Sequence, residues 1–194
     1  LLTISPYLVR NIIFLDELTI TKSIGYNLWK GNNPKATVEG YPYEDAYSEN
    51  LKKNIQNLSR DKYYDISYDN VFLQEAIYNI LADPKKYISL VLKKFLSFMI
   101  IDIKSTYPNY FSPIHYVPLL IISVLSIIGI STYRFQSREL NYLLFYLLLT
   151  AMIYSFFFIL PRYKLAIIPM QIIFSIFVFD FFKNIFHKYN ETKF

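Results

Sequence analysis

From position 140 to 160 the chain runs for 21 residues without a charge, and this constrains its fold more than any other feature. As an α-helix the run is about 30 Å long, the thickness of a bilayer's hydrocarbon core. Two similar runs flank it. Residues 105–133 carry no charge, with their most apolar stretch at 117–131, and residues 165–182 carry only Asp180, near their end. Three helices joined by the short connectors 134–139 and 161–164 must pack as antiparallel neighbours. The expectation is therefore a mainly α, polytopic membrane protein fragment with three transmembrane helices in 113–183. A composition 54% hydrophobic and 19% aromatic, too apolar for an ordinary soluble domain, agrees with it.

Charge narrows the function. The net +5 is spread along the chain, with thirteen Lys/Arg against twelve Asp/Glu in 1–112 and seven against three in 113–194. No clustered cationic face of the kind that binds nucleic acid is specified. The absence of cysteine excludes disulfides, thiolate zinc sites and a cysteine nucleophile. His115 and His187, the only histidines, form no ligand motif, so no metal site or cofactor is identified.

The opening Leu1-Leu2-Thr3-Ile4-Ser5 has neither Met nor a basic n-region. Residues 1–5 read as the end of a truncated transmembrane helix, and the chain as the C-terminal piece of a longer protein. Arg134, Arg138, Lys183, Lys188 and Lys193 fall on one side of the spans, against Arg162 and Lys164 on the other. The positive-inside rule then places the tail 184–194 in the cytoplasm and residues 6–112 outside.

Within 6–112 a short helix is expected near 48–58. A longer one follows, capped by Asp69, with Phe72, Ala76, Ile77, Ile80 and Leu81 on one face. Asp83-Pro84 ends it and starts another at 84–104. There Lys86, Ser89, Lys93 and Ser97 line one stripe, and Tyr87, Leu90, Val91, Phe95, Phe98 and Ile101 fill the opposite side. The charge-free stretch 95–101 is too short to cross a bilayer, which favours an amphipathic interfacial helix over a tilted fourth span.

Several patterns carry no chemistry. Gly25 and Gly31 are not followed by the Gly-Lys-Ser/Thr of a phosphate loop. The acid pairs Asp16-Glu17 and Glu44-Asp45 sit in polar segments and read as solvated, and Asn57-Leu58-Ser59 and Asn190-Glu191-Thr192 are short acceptor patterns that an Asn-rich chain produces by chance. Two segments stand above this background. One is Pro6-Tyr7-Leu8-Val9-Arg10-Asn11, followed by residues 25–37 (GYNLWKGNNPKAT), which hold the sole Trp. The other is Pro161-Arg162-Tyr163-Lys164 with Pro169, two cations at the mouth of a helical hairpin. Cations there can neutralise a lipid phosphate and stabilise it as a leaving group. They are also ordinary interfacial anchors.

Taken in order, these segments resemble the bacterial GT-C glycosyltransferases, the dolichyl-phosphate-mannose-protein mannosyltransferase-like proteins related to the aminoarabinose transferase of lipid A. The stretch 25–37 is the most specific part; Tyr7 and Ala166 depart from the pattern, where Trp and Pro are commoner. The resemblance implies a multi-pass enzyme of the bacterial cytoplasmic (inner) membrane that moves a sugar from a polyprenyl-phosphate donor to a protein, lipid or glycan acceptor on the outer face. The family's catalytic carboxylate lies on a first external loop that nothing here matches, so the fragment is expected to be incomplete and inactive alone. Arg10, Arg162 and Lys164 are the residues expected to contact the carrier phosphate, with Tyr163 as interfacial support and Asn27, Asn32 and Asn33 as structural or sugar-facing groups. The competing class is a non-catalytic membrane protein, a transporter piece or an assembly scaffold whose external segment binds a partner. The near absence of ionisable residues within the spans argues against transport, and the sparse core of 6–112 argues against a peripheral module on a hairpin anchor.

Overall fold

The computed structural model describes residues 3–18, 22–102, 104–106, 112–133 and 137–191, the side chains at 180 and 184–191 aside. Arg134 and Lys193, used above for orientation, lie outside these residues, as do the side chains of Asp180, His187 and Lys188. Among the described residues the chain is helical, without a strand, and it divides into two compact units, Leu1–Ser89 and Leu90–Phe194.

The first unit opens with α1 (Ser5–Leu15), so the chain runs on as helix past residue 5, where a helix was expected to end. Pro6 sits in its first turn, where its missing N–H costs nothing. Asp16 ends the helix in the left-handed region at φ 55°, returning its N–H to Ile12 O, and its carboxylate accepts from Tyr63 Oη at 3.0 Å.

Helices α2 (Ile24–Asn32) and α4 (Tyr64–Ala82) pack directly on each other. Gly25 allows this: a Cβ there would lie 2.0 Å from the Asp69 carbonyl oxygen. Beneath the crossing lies a core built from aromatic rings. Trp29, fully buried, meets Phe72 at 5.0 Å and Tyr47 at 5.1 Å between centroids, both edge-on, and Phe72 also meets Tyr26 and Tyr68. Leu51 and Ala76 complete it. A few large rings supply the burial that the aliphatic inventory of this segment could not.

Between α2 and α4 the backbone is closed by Tyr41 N–H to Lys30 O at 2.8 Å and by a short 3-10 turn at Glu44–Ala46. Helix α3 (Glu49–Gln56) follows, its Leu51 N–H capped by Ser48 Oγ at 3.0 Å, where a short helix was expected. Helix α4 begins at Tyr64, five residues before the expected cap; Asp69 is buried in its interior and caps a different helix, as described below. Helix α5 (Pro84–Met99) starts where Asp83-Pro84 indicated, with Asp83 Oδ1 accepting from Lys86 N–H, but it ends five residues short of 104.

The aromatic core makes the first unit sensitive to alkali. Burial pushes the Tyr47 phenol well above its ordinary value of 10, helped by Tyr68, and burial raises Tyr26 as well. A phenol whose folded pKa is raised leaves stability intact below pH 10 and removes it as pH climbs toward the folded value. Emission from Trp29, the sole tryptophan, should stay blue up to about pH 10 and shift red above it, with a shallower pH dependence in Tyr47→Phe. An identical profile in the variant would show that Tyr47 does not govern the transition.

In the second unit, α6 (Pro113–Thr132), α7 (Arg138–Phe156) and α8 (Ile168–Glu191) follow the end of α5. Helices α6 and α7 are long and apolar enough to cross a membrane by length and composition. The expected connector 161–164 is a 3-10 turn, Pro161–Ala166, which takes the first two residues of the third expected run, and α8 holds nearly all the rest and continues to Glu191. Ser137 Oγ caps α7 by accepting from Leu140 N–H.

Helix α8 packs along α6. Ser123, Ser126 and Gly129 give α6 a buried small-residue face, and a Cβ on Gly129 would stand 1.8 Å from Phe174 O. Tyr133, past the end of α6, meets Phe177 at 5.1 Å. From these pairs the two helices run parallel, with α8 starting level with the middle of α6.

Candidate functional site

In the first unit a cleft of about 480 Å³ opens between α1 and the facing ends of α2 and α4. Its size suits a small organic ligand. Three cations line it. Arg10 comes from α1, and Lys22 and Lys62 from the segments that lead into α2 and α4. Arg10 is exposed and donates from Nη1 to its buried neighbour Asn11 at 3.2 Å, which orients the guanidinium. Lys22 pairs with Glu17 at 2.9 Å. Lys62 lies over the Tyr63 ring at 4.5 Å, and hydrogen bonding to Tyr63 holds its ammonium above the usual lysine value, so it stays charged at any physiological pH.

Two carboxylates share the wall, and they differ in commitment. Asp69 is 3% exposed and accepts from the Gly25 N–H at 3.0 Å and the Tyr26 N–H at 2.8 Å. It caps the start of α2 from 44 residues away, where the side chain of Ser23, the residue in the cap position, accepts no backbone N–H of the helix. Asp65, one turn earlier on α4, is exposed toward the cleft. Tyr26 and Tyr68 add phenols. Cations, one available carboxylate and ring hydroxyls together suit a ligand that carries both an anionic group and hydroxyls.

Of the residues expected to contact the carrier phosphate or the sugar, Arg10 alone lines this cleft, although Asn11 and Tyr26 from the two singled-out stretches line it as well. The asparagines of the 25–37 stretch hold backbone: Asn32 Nδ2 donates to Leu28 O at 2.8 Å, Asn33 Nδ2 to Tyr41 O at 2.7 Å, and Asn33 Oδ1 accepts from Lys35 N–H. Asn27 Nδ2 reaches Ser23 Oγ at 3.4 Å. Lys22, Lys62, Asp65 and Tyr68 went unremarked, because residues scattered among loops and helix ends have no common spacing. A signal did exist for Asp69: a carboxylate in register with Ile66, Phe72 and Ala76 on a buried stripe must serve a tertiary bond.

Arg162, Tyr163 and Lys164 belong to the second unit, in the 3-10 turn Pro161–Ala166. The two cations do not share a surface. Arg162 is exposed, its guanidinium 5.6 Å from the Tyr163 centroid. Tyr163 stacks on Tyr154 at 4.9 Å, and Tyr154 in turn on Phe98. Lys164 is 3% exposed and donates to Ser123 Oγ at 3.1 Å, which donates to Ile100 O at 3.0 Å. Gln171 Nε2 donates to Met99 O at 2.7 Å, and Lys94 Nζ donates to Phe157 O just past the end of α7. These buried groups close the carbonyls that helix ends leave open, so Lys164 ties the bundle together where an exposed headgroup contact was expected.

Among the described residues no group of His, Asp and Glu is arranged to hold a metal ion. Comparison of the chain with family models, with curated proteins and with solved structures returns no match.

Proposed function

We propose that the chain is the C-terminal part of a membrane glycosyltransferase that takes a sugar from a polyprenyl-phosphate donor at the outer face of a bacterial cytoplasmic membrane. The observation that carries this reading is the cleft beside α1, where Arg10, Lys22 and Lys62 converge around a space large enough for a phosphate and a sugar ring. Cations so placed neutralise the carrier phosphate in the ground state and stabilise it as the leaving group. The catalytic carboxylate belongs to another part of the protein.

Membrane insertion is supported by the way α6 and α7 meet their surroundings. Only 17% and 22% of their most apolar stretches are buried, whereas a core helix of a soluble protein is mostly covered. Phe145, Tyr146, Met152 and Ile153 on α7 are each half or more exposed, a greasy surface that lipid would cover. In this reading α8 forms the third span and α5 lies at the interface.

The test is binding of a short-chain prenyl phosphate to the detergent-solubilised chain. Arg10→Ala should weaken it about tenfold, about 1.4 kcal/mol, with Arg10→Lys recovering part of the loss, while the corresponding prenyl alcohol binds wild type and variant alike. Equal phosphate affinity in wild type and Arg10→Ala would sink the assignment.

A further inference from the structure

Helix α5 presents three different faces. Lys94, Phe98 and Met99 are buried, with Tyr87 and Val91 half-buried beside them. These include part of the apolar side that the sequence pattern offered to lipid, and protein covers it instead. A second apolar stripe points away from the protein: Ile88, Leu92 and Leu96 recur every four residues and are 58%, 58% and 56% exposed. Next to it Lys86, Ser89 and Lys93 form a polar stripe, and Lys85 stands one turn before Ile88 at the head of the apolar one. Lys86 is engaged with Pro34 O at 2.7 Å, whereas Lys85 and Lys93 are exposed. No acidic residue lies anywhere in the helix.

We propose that α5 lies along an anionic lipid surface, with Ile88, Leu92 and Leu96 sunk to the level of the first acyl carbons and Lys85 and Lys93 on lipid phosphates. The inference rests on the bilayer reading of the neighbouring helices but not on sugar transfer, and it adds a headgroup preference to it. Charge complementarity selects the occupant. A stripe three side chains long is narrow for a stable protein interface, but it matches the shallow burial of an interfacial helix, and Lys85 and Lys93 flanking it, with the Asp83 carboxylate engaged on the Lys86 N–H at the helix start, favour anionic over zwitterionic headgroups.

The chain contains no cysteine, so single-cysteine probes are direct. Leu92→Cys, Lys93→Cys and, as a control on α7, Phe145→Cys would be labelled with an environment-sensitive fluorophore in the full chain, reconstituted into phosphatidylcholine vesicles with or without phosphatidylglycerol. The Leu92 probe should be quenched by spin-labelled lipid and the Lys93 probe by aqueous iodide. At equal mole fraction, spin-labelled phosphatidylglycerol should quench Leu92 about twofold more than spin-labelled phosphatidylcholine, and Lys85→Gln/Lys93→Gln should abolish the difference. Iodide quenching at Leu92, or protection there from both quenchers as a protein partner would give, overturns the proposal. Equal quenching by the two lipids overturns the headgroup preference. Lipid quenching at Leu92 but not at Phe145 would support α5 on the surface and overturn the spans, whereas the reverse result would overturn α5 alone.

Discussion

Gly129→Leu is expected to separate α6 from α8 and leave the second unit unable to hold its fold in detergent or lipid. The position tolerates nothing beyond hydrogen, since even a Cβ would sit 1.8 Å from Phe174 O, a backbone atom that cannot rotate aside. The helices must move apart by more than an ångström. The buried contacts of Ser123, Ser126 and Phe174 then loosen, and with them the Gln171 to Met99 bond that fixes the end of α5. Overpacking a close helix contact typically costs 1–3 kcal/mol, and an obstruction against backbone belongs at or above the top of that range, about 3 kcal/mol. The measurement is thermal unfolding of the purified chain followed by size-exclusion recovery. Gly129→Ala should be intermediate, and a leucine variant as stable as wild type would show that α6 and α8 do not approach this closely.

Asp69→Ala should unfold the first unit to a comparable degree while leaving α6 to α8 helical. The substitution leaves two amide hydrogens, of Gly25 and Tyr26, without an acceptor at the buried start of α2, and it removes the negative charge that faces that helix's dipole. Each unsatisfied buried group costs about 1–3 kcal/mol, so about 3 kcal/mol in total is a moderate expectation, a large part of the stability of a unit this size. Trp29, one turn further along α2 and fully buried, reports the outcome through a red-shifted emission. Asp69→Asn keeps one carbonyl acceptor and should lose about half as much. Unchanged emission in Asp69→Ala would show that Ser23 or water can replace the carboxylate.

What the sequence disclosed followed from how local the responsible physics is. Ser48 before α3, Asp83-Pro84 before α5 and the uncharged stretches of α6 and α7 act within a turn or along one helix, and each of those elements starts close to where expected, although α5 stops at Met99 and α7 at Phe156, four residues before its uncharged run ends. Asp69 misled because its hydrogen bonds reach 44 residues back, while local rules treat an aspartate before an apolar run as a cap for its own helix. The pairing of Arg162 with Lys164 rested on adjacency. With three residues per turn in a 3-10 helix, positions two apart point in different directions, and here one side chain faces out and the other is buried against Ser123. As a ligand contact, the cleft was legible only at Arg10. Its other members come from separate connectors and helix ends, and the packing of α2 on α4 through Gly25 brings them within reach of one ligand.

The half-length offset between α6 and α8 has a geometric corollary. Ser123 is ten residues into α6, a rise of about 15 Å, and over that distance no part of α8 stands alongside. Ile114 and Val117, 89% and 45% exposed, border the gap. The shortfall leaves the first half of α6 without cover from α8, its exposed aliphatic side chains open to a hydrocarbon tail.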